Sequence, residues 1–145
     1  MFAAFGRTPR EVRTYSVNPP MLFFYEETDL SLATSFYAPH DDQFISRASE
    51  NIAILAGELR RRYNVRLMLL PVPNKFTVYS RFVCRDSYDE LIPRLISALK
   101  TRGIQAVDIL TLFRSQTDMV YFSTDTHWNE QGMKLAVPLV AQYCQ

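Results

Sequence analysis

Tyr121-Phe122-Ser123-Thr124-Asp125-Thr126-His127-Trp128-Asn129-Glu130-Gln131-Gly132 places an acid, an imidazole, an indole and a helix start side by side. In an extended or gently turned segment, side chains at i and i+2 point to the same side. Asp125 can then accept a hydrogen bond from one ring nitrogen of His127, which fixes the tautomer and leaves the other nitrogen free to take a proton. Asn129 is a good N-cap and Glu130 suits the positive end of the helix that follows. The stretch therefore reads as strand, Asp-x-His turn, helix. A second reading stands beside this one: an acid two residues from a histidine also occurs in ordinary surface turns, and Trp128 can be a core anchor.

Working outward, Met119 to Phe122 is expected as the strand entering the turn, and Asn129 to Tyr143 as the closing helix. Met133, Ala136, Leu139, Val140 and Tyr143 form its apolar positions. Pro138 is expected to kink or split it, at a local cost of about 3 kcal/mol. Upstream, Val65 to Val72 is a near-continuous apolar strand of the kind buried on both faces of a parallel sheet. Pro71 and Pro73 mark its carboxyl end, where ligands gather in open α/β sheets. This makes Asn74, Lys75 and Tyr79 candidates for a pocket rim. The alternative for Lys75 is a solvated loop lysine.

The remaining elements follow from periodicity and capping. Residues 1–19 read as irregular, punctuated by Asn18-Pro19-Pro20, and Met21 to Tyr25 as a short strand. A helix is expected from about Asp42 to Tyr63, capped by Asp41 or Asp42, with Phe44, Ala48, Ile52, Leu55 and Leu59 on its inward face. His40-Asp41-Asp42 offers metal-type ligands, but before a helix such a run also serves capping and surface roles. Ser87 to Arg102 is a second helix with Leu91, Leu95, Ala98 and Leu99 inward, stopped by Gly103. Ile104 to Val107 is a short strand, and Asp108 caps a short helix ending near Arg114 with Leu110 and Phe113 inward. This alternation predicts an α/β protein, a three-layer α/β/α arrangement around a mostly parallel sheet.

The longer string Tyr-Phe-x-Thr-Asp-Thr-His-Trp-Asn-x-x-Gly resembles the signature of the alginate O-acetyltransferase family, a branch of the SGNH-hydrolase-like enzymes. Leu70-Pro71-Val72-Pro73-Asn74-Lys75-Phe76-Thr77-Val78-Tyr79 is similar to that family's strand-end segment, and Met21-Leu22-Phe23-Phe24-Tyr25 to its early strand. The resemblance covers most of the chain from about residue 20. It implies an exported polysaccharide O-acetyltransferase or acetylesterase of the periplasm or cell envelope, with Asp125 orienting the general base His127 and no cofactor or metal. Trp128, Asn74, Lys75 and Tyr79 would be substrate-binding. The family's nucleophilic serine sits in a Gly-Asp-Ser turn after the Asp-x-His block, and this sequence has no such turn; Asp86-Ser87 lacks the glycine and looks like a helix cap. The expectation is one domain over residues 1–145, the N-terminal part of a longer SGNH-like unit whose serine block lies elsewhere. A short relative that lost its nucleophile is the rival. The alternative function is a non-catalytic carbohydrate-binding or assembly protein of the envelope.

Composition bounds these readings. A chain of 145 residues matches one domain and buries about two-thirds of its unfolded surface. Hydrophobic residues make up 48% and charged residues 21%, as in ordinary globular proteins. A net charge of +1 gives no electrostatic reason to expect a nucleic acid or an anionic membrane as partner. No stretch is long and apolar enough for a membrane span, and Met1 to Phe5, followed by Arg7 and Arg10, is too short for a signal sequence. Cys84 and Cys144 are read as two buried thiols, or one bridge if the chain is exported. An incomplete sheet would leave an apolar edge, which predicts self-association.

Overall fold

The computed structural model describes residues 12–15, 20–83 and 88–143; Cys84, Ser87 and Cys144 lie outside them. The chain runs β1 (Val12–Tyr15), β2 (Met21–Phe24), α1 (Tyr25–Thr28), α2 (Asp42–Tyr63), β3 (Met68–Leu69), α3 (Lys75–Val83), α4 (Leu91–Thr101), β4 (Gln105–Ala106), α5 (Ile109–Arg114) and α6 (Glu130–Ala141). The fold is α/β. β3 and β4 pair in parallel, Met68 opposite Gln105 and Leu69 opposite Ala106. β1 and β2 form an antiparallel pair, Val12 opposite Phe24 and Tyr15 opposite Met21. The irregular reading of residues 1–19 is therefore corrected at Val12–Tyr15.

Two apolar clusters lie about the parallel pair. Leu69 packs with Ile96, Leu99 and Ala106, on the side of α2 and α4. Leu70 packs into the larger cluster of Phe23, Phe76, Tyr79, Phe113, Tyr121 and Ala136, which draws on α3, α5 and α6. Neighbouring residues of a strand point to opposite faces, so the one chain feeds both. The strands are shorter than the apolar run Val65 to Val72. Pro71 and Pro73 bring no N–H to a ladder, and regular pairing ends before them.

Side-chain caps open α2 and α5 where expected, whereas α4 begins at Leu91, after Glu90 in the left-handed region, rather than near Ser87. Asp41 accepts the Phe44 N–H at 2.7 Å to open α2, and Asn64 ends it in the left-handed region at φ 54. Asp108 accepts the Thr111 N–H at 3.0 Å to open α5. The inward face of α2 differs from the expected one in part: Ile52 packs against Ile96 and Leu99 as expected. Ile45 and Ser49 are buried, whereas Phe44 and Leu55 are exposed. Ile45, Ser49 and Ile52 share one stripe at helical spacing, offset from Phe44 and Leu55, and this helix packs against α4. In α4 the buried positions are Ile96 and Leu99.

α3 is an unexpected helix, because Phe76, Thr77, Val78 and Tyr79 have the composition of a strand. Asn74 supplies its start by accepting the Thr77 N–H at 2.7 Å. Met119 to Phe122 does not form a regular strand; only Tyr121 and Trp128 pair, as an isolated antiparallel bridge. α6 runs through Pro138 rather than splitting there. Pro138 and Lys134 lie on the exposed side of α6. The Lys134 carbonyl that loses a helical donor can turn to water.

Candidate functional site

The Phe122–Trp128 loop is pinched at its base. Phe122 N–H donates to the His127 carbonyl at 3.1 Å, and Asn129 N–H to the Val120 carbonyl at 3.0 Å. Asn129 does more than cap α6. Its Oδ1 accepts the Gly132 N–H at 3.0 Å, and its Nδ2 donates to the carbonyls of Met119 at 2.7 Å and Tyr121 at 3.3 Å. One amide thus joins the entering segment, the loop and the helix. Gly132 permits the fit: a Cβ there would lie 2.3 Å from the Val120 carbonyl oxygen.

At the loop tip one oxygen of Asp125 takes two donors from the same residue. Oδ1 accepts the His127 backbone N–H at 2.8 Å and bonds the His127 ring at Nδ1. The i, i+2 geometry read from the sequence is therefore formed. These two bonds hold the Asp125 carboxyl below the usual carboxylate range, the ring bond being the larger cause. With Nδ1–H donated to Asp125, Nε2 is an open acceptor. The His127 side chain is 83% exposed and the Asp125 side chain 50%.

His127 borders a cavity of about 540 Å³ that also takes in Trp128, Tyr121, Asn74, Thr126 and Glu27. Val72, Pro73 and Met133 supply apolar wall. None of these lining residues is a serine or a cysteine. Trp128 is half-buried and stands edge-on to Phe113, with ring centroids 5.2 Å apart. It is both a core anchor and a cavity wall. Asn74 reaches the cavity, although its side-chain oxygen is occupied as the cap of α3.

Lys75 and Tyr79 do not form a rim. Lys75 is fully buried, and its ammonium donates to the carbonyls of Leu22 at 2.7 Å, Ser123 at 2.8 Å and Asp125 at 3.1 Å. Both alternatives read from the sequence, substrate contact and solvated loop, are corrected: all three N–H bonds are spent inside the protein. Burial pulls Lys75 down to about 8, against the pull of the Glu27 and Asp125 carboxylates. Tyr79 is buried, and its hydroxyl oxygen accepts the N–H groups of Val120 at 2.8 Å and Tyr121 at 3.3 Å. Tyr121 in turn donates its hydroxyl to the Pro73 carbonyl. Burial raises both phenols.

Glu27 is the residue that sequence reasoning missed. It is buried at the cavity, and its Oε2 accepts the Phe76 N–H at 3.1 Å, an anion at the start of α3. Burial raises its carboxyl, opposed by that N–H and by the Lys75 charge. In the sequence Glu26-Glu27 and Asp29 merely follow the short apolar run Met21 to Tyr25. The run His40-Asp41-Asp42 is dispersed: His40 bonds Asp89 at 2.7 Å, Asp41 caps α2, and Asp42 pairs with Arg94 at 2.8 Å.

A family model described as "SGNH hydrolase-like domain, acetyltransferase AlgX" matches residues 22–145. The chain belongs to this family. Among solved structures, the chain is similar to the O-acetyltransferase domain of Pseudomonas putida AlgJ, with a TM-score of 0.61 and 20% sequence identity. The match covers 91% of this chain and 46% of that one, so this chain spans about half the length of that structure. At this identity the likeness speaks for the fold. No curated protein matches the chain.

Proposed function

We propose that this chain carries the acid–base half of a polysaccharide O-acetyltransferase or acetylesterase of the SGNH type, acting in the cell envelope. Asp125 is the orienting acid and His127 the general base. The observation that carries the reading is the hydrogen bond from His127 Nδ1 to Asp125, which leaves Nε2 unencumbered at the mouth of a cavity. A serine supplied from outside this chain would give its hydroxyl proton to Nε2 as its oxygen attacks the acetyl carbon. The imidazolium would return that proton to the departing donor oxygen. In the second half, a sugar hydroxyl or water would lose its proton to Nε2 as its oxygen attacks the acetyl carbon; the bond from the acetyl group to the serine oxygen would break, and the imidazolium would return the proton to that serine oxygen. Asp125 stabilises the imidazolium in both halves. The apolar wall around Trp128 suits a sugar ring or a small acyl group.

The absence of serine and cysteine from the cavity lining favours one other reading for the isolated chain, that it binds carbohydrate without turning it over. The test is acetyl-ester hydrolysis by a protein that includes the sequence following Gln145 in its gene. His127→Ala should lower kcat/KM by about a thousandfold or more. Undiminished hydrolysis by His127→Ala defeats the acid–base assignment. Glycan-dependent Trp128 fluorescence without any hydrolysis by the longer protein favours the binding reading.

A further inference from the structure

The Asp125–His127 pair sits on an exposed loop tip, where no packing immobilises it. Productive acid–base geometry nevertheless has to be held within a fraction of an ångström. The pinched base of the loop fixes residues 120–122 and 127–129 but does not reach Asp125. Among the described residues, the bond from Lys75 Nζ to the Asp125 carbonyl is the one hydrogen bond tying Asp125 to a residue outside its own turn. The same ammonium holds the Ser123 carbonyl, which also accepts the Leu22 N–H at 2.8 Å, and the Leu22 carbonyl itself. Three carbonyl oxygens from two segments therefore converge on a single cation. Acceptors alone cannot satisfy one another, so the convergence requires a multi-proton donor. Lysine provides three rotatable N–H bonds on one nitrogen, matching the three carbonyls one to one.

We propose that Lys75 is a positioning residue: its buried ammonium staples the underside of the Asp125–His127 turn to β2 and holds the carboxylate toward the imidazole. Glu27 and Asp125 balance its charge, so the staple does not leave a lone buried cation. Its importance for catalysis rests on the acid–base reading of the pair; the geometric claim does not.

The experiment is NMR on this chain, comparing the parent with Lys75→Met, which keeps the stem and removes all three donors. In the parent, ring 15N shifts should report a single Nδ1–H tautomer of His127, and the His127 amide should exchange slowly. In Lys75→Met, the tautomer should become mixed and the amide should exchange about tenfold faster or more. Tyr79→Phe is the control: it removes buried hydrogen bonds from Val120 and Tyr121 but touches nothing at Asp125, so it should destabilise the fold without altering the tautomer. A folded Lys75→Met protein with unchanged His127 signals overturns the proposal. If Lys75→Met does not fold, the parent decides. Slowly exchanging Lys75 ammonium protons with coupling to the Asp125 carbonyl carbon support the staple, and exchange as fast as a surface lysine's overturns it. Failure of the His127→Ala ester assay would instead overturn the acid–base reading and leave these signals standing.

Discussion

Gly132→Ala tests the packing on which the site stands, because two effects of opposite sign meet at that position. Gly132 lies in the first turn of α6, where alanine is favoured over glycine by about 1 kcal/mol on helix propensity. Yet the new Cβ would sit 2.3 Å from the Val120 carbonyl oxygen and 3.1 Å from Trp128 Cβ. The first contact is against backbone, and that backbone is itself held: the Val120 oxygen accepts the Asn129 N–H, and Val120 is fully buried. The helix must move away by roughly 1 Å to reach van der Waals separation, and overpacking of this kind costs about 1–3 kcal/mol or more. We expect a net loss of about 2 kcal/mol, since the clash is with backbone and exceeds the propensity gain. Urea unfolding followed by Trp128 fluorescence and far-UV circular dichroism measures it, with an unchanged slope locating the effect in the folded state. Gly57→Ala in α2 is the matched comparison. Nothing lies within 4 Å of its added Cβ, so only propensity acts, and a gain of about 0.5–1 kcal/mol is expected. If Gly132→Ala is as stabilising as Gly57→Ala, the close approach of α6 to Val120 is wrong.

Asn129→Ala should cost about 2 kcal/mol in the same unfolding assay, because it removes a helix cap and leaves the Met119 and Tyr121 carbonyls without their donor. An effect under 0.5 kcal/mol would mean that water replaces the amide. Alkaline titration should show the buried lysine. Lys75 is lowered to about 8 in the folded chain from 10.5. Above pH 8 the unfolded chain therefore holds a proton that the folded chain has released, and stability should rise by roughly 2 kcal/mol between pH 8 and 10. Above pH 10 the raised phenols of Tyr79, Tyr88 and Tyr121 reverse the sign, since the unfolded chain then loses protons that the folded chain keeps. Chemical denaturation across this range checks both limbs, and Lys75→Met should abolish the rise. For the longer protein, Asp125→Asn should lower acetyl-ester kcat/KM by about a hundredfold or more, because the amide favours the wrong imidazole tautomer. Parent-like rates would exclude Asp125 as orienter.

Family resemblance and local chemistry between them brought out Asp125, His127 and the capping residues Asp41, Asp108 and Asn129. Their partners lie two or three residues away, within reach of a rule about turns or helix starts. α3 escaped because Asn74, Lys75 and Tyr79 were read as a pocket rim beyond a strand end, and Phe76 to Tyr79 carry strand-type side chains. The α2 face was misread at its start because Phe44 and Ile45, adjacent in sequence, are both apolar, and only tertiary packing decides which is covered.

Helices α2, α4, α5 and α6, most of their ends and the acid–imidazole pair belong to the sequence by itself, since each depends on neighbours a turn or less apart. Tertiary structure alone decided the fates of Lys75, Tyr79 and Glu27. Each is polar, and hydropathy assigns such groups to the surface. Their hydrogen-bond partners stand 41 to 53 residues away, and only folding brings Leu22, Ser123 and Asp125 round the lysine, Val120 and Tyr121 to Tyr79, and Phe76 to Glu27. A buried charge is tolerable only where such partners converge. That convergence is a property of three-dimensional closure, which no local spacing encodes.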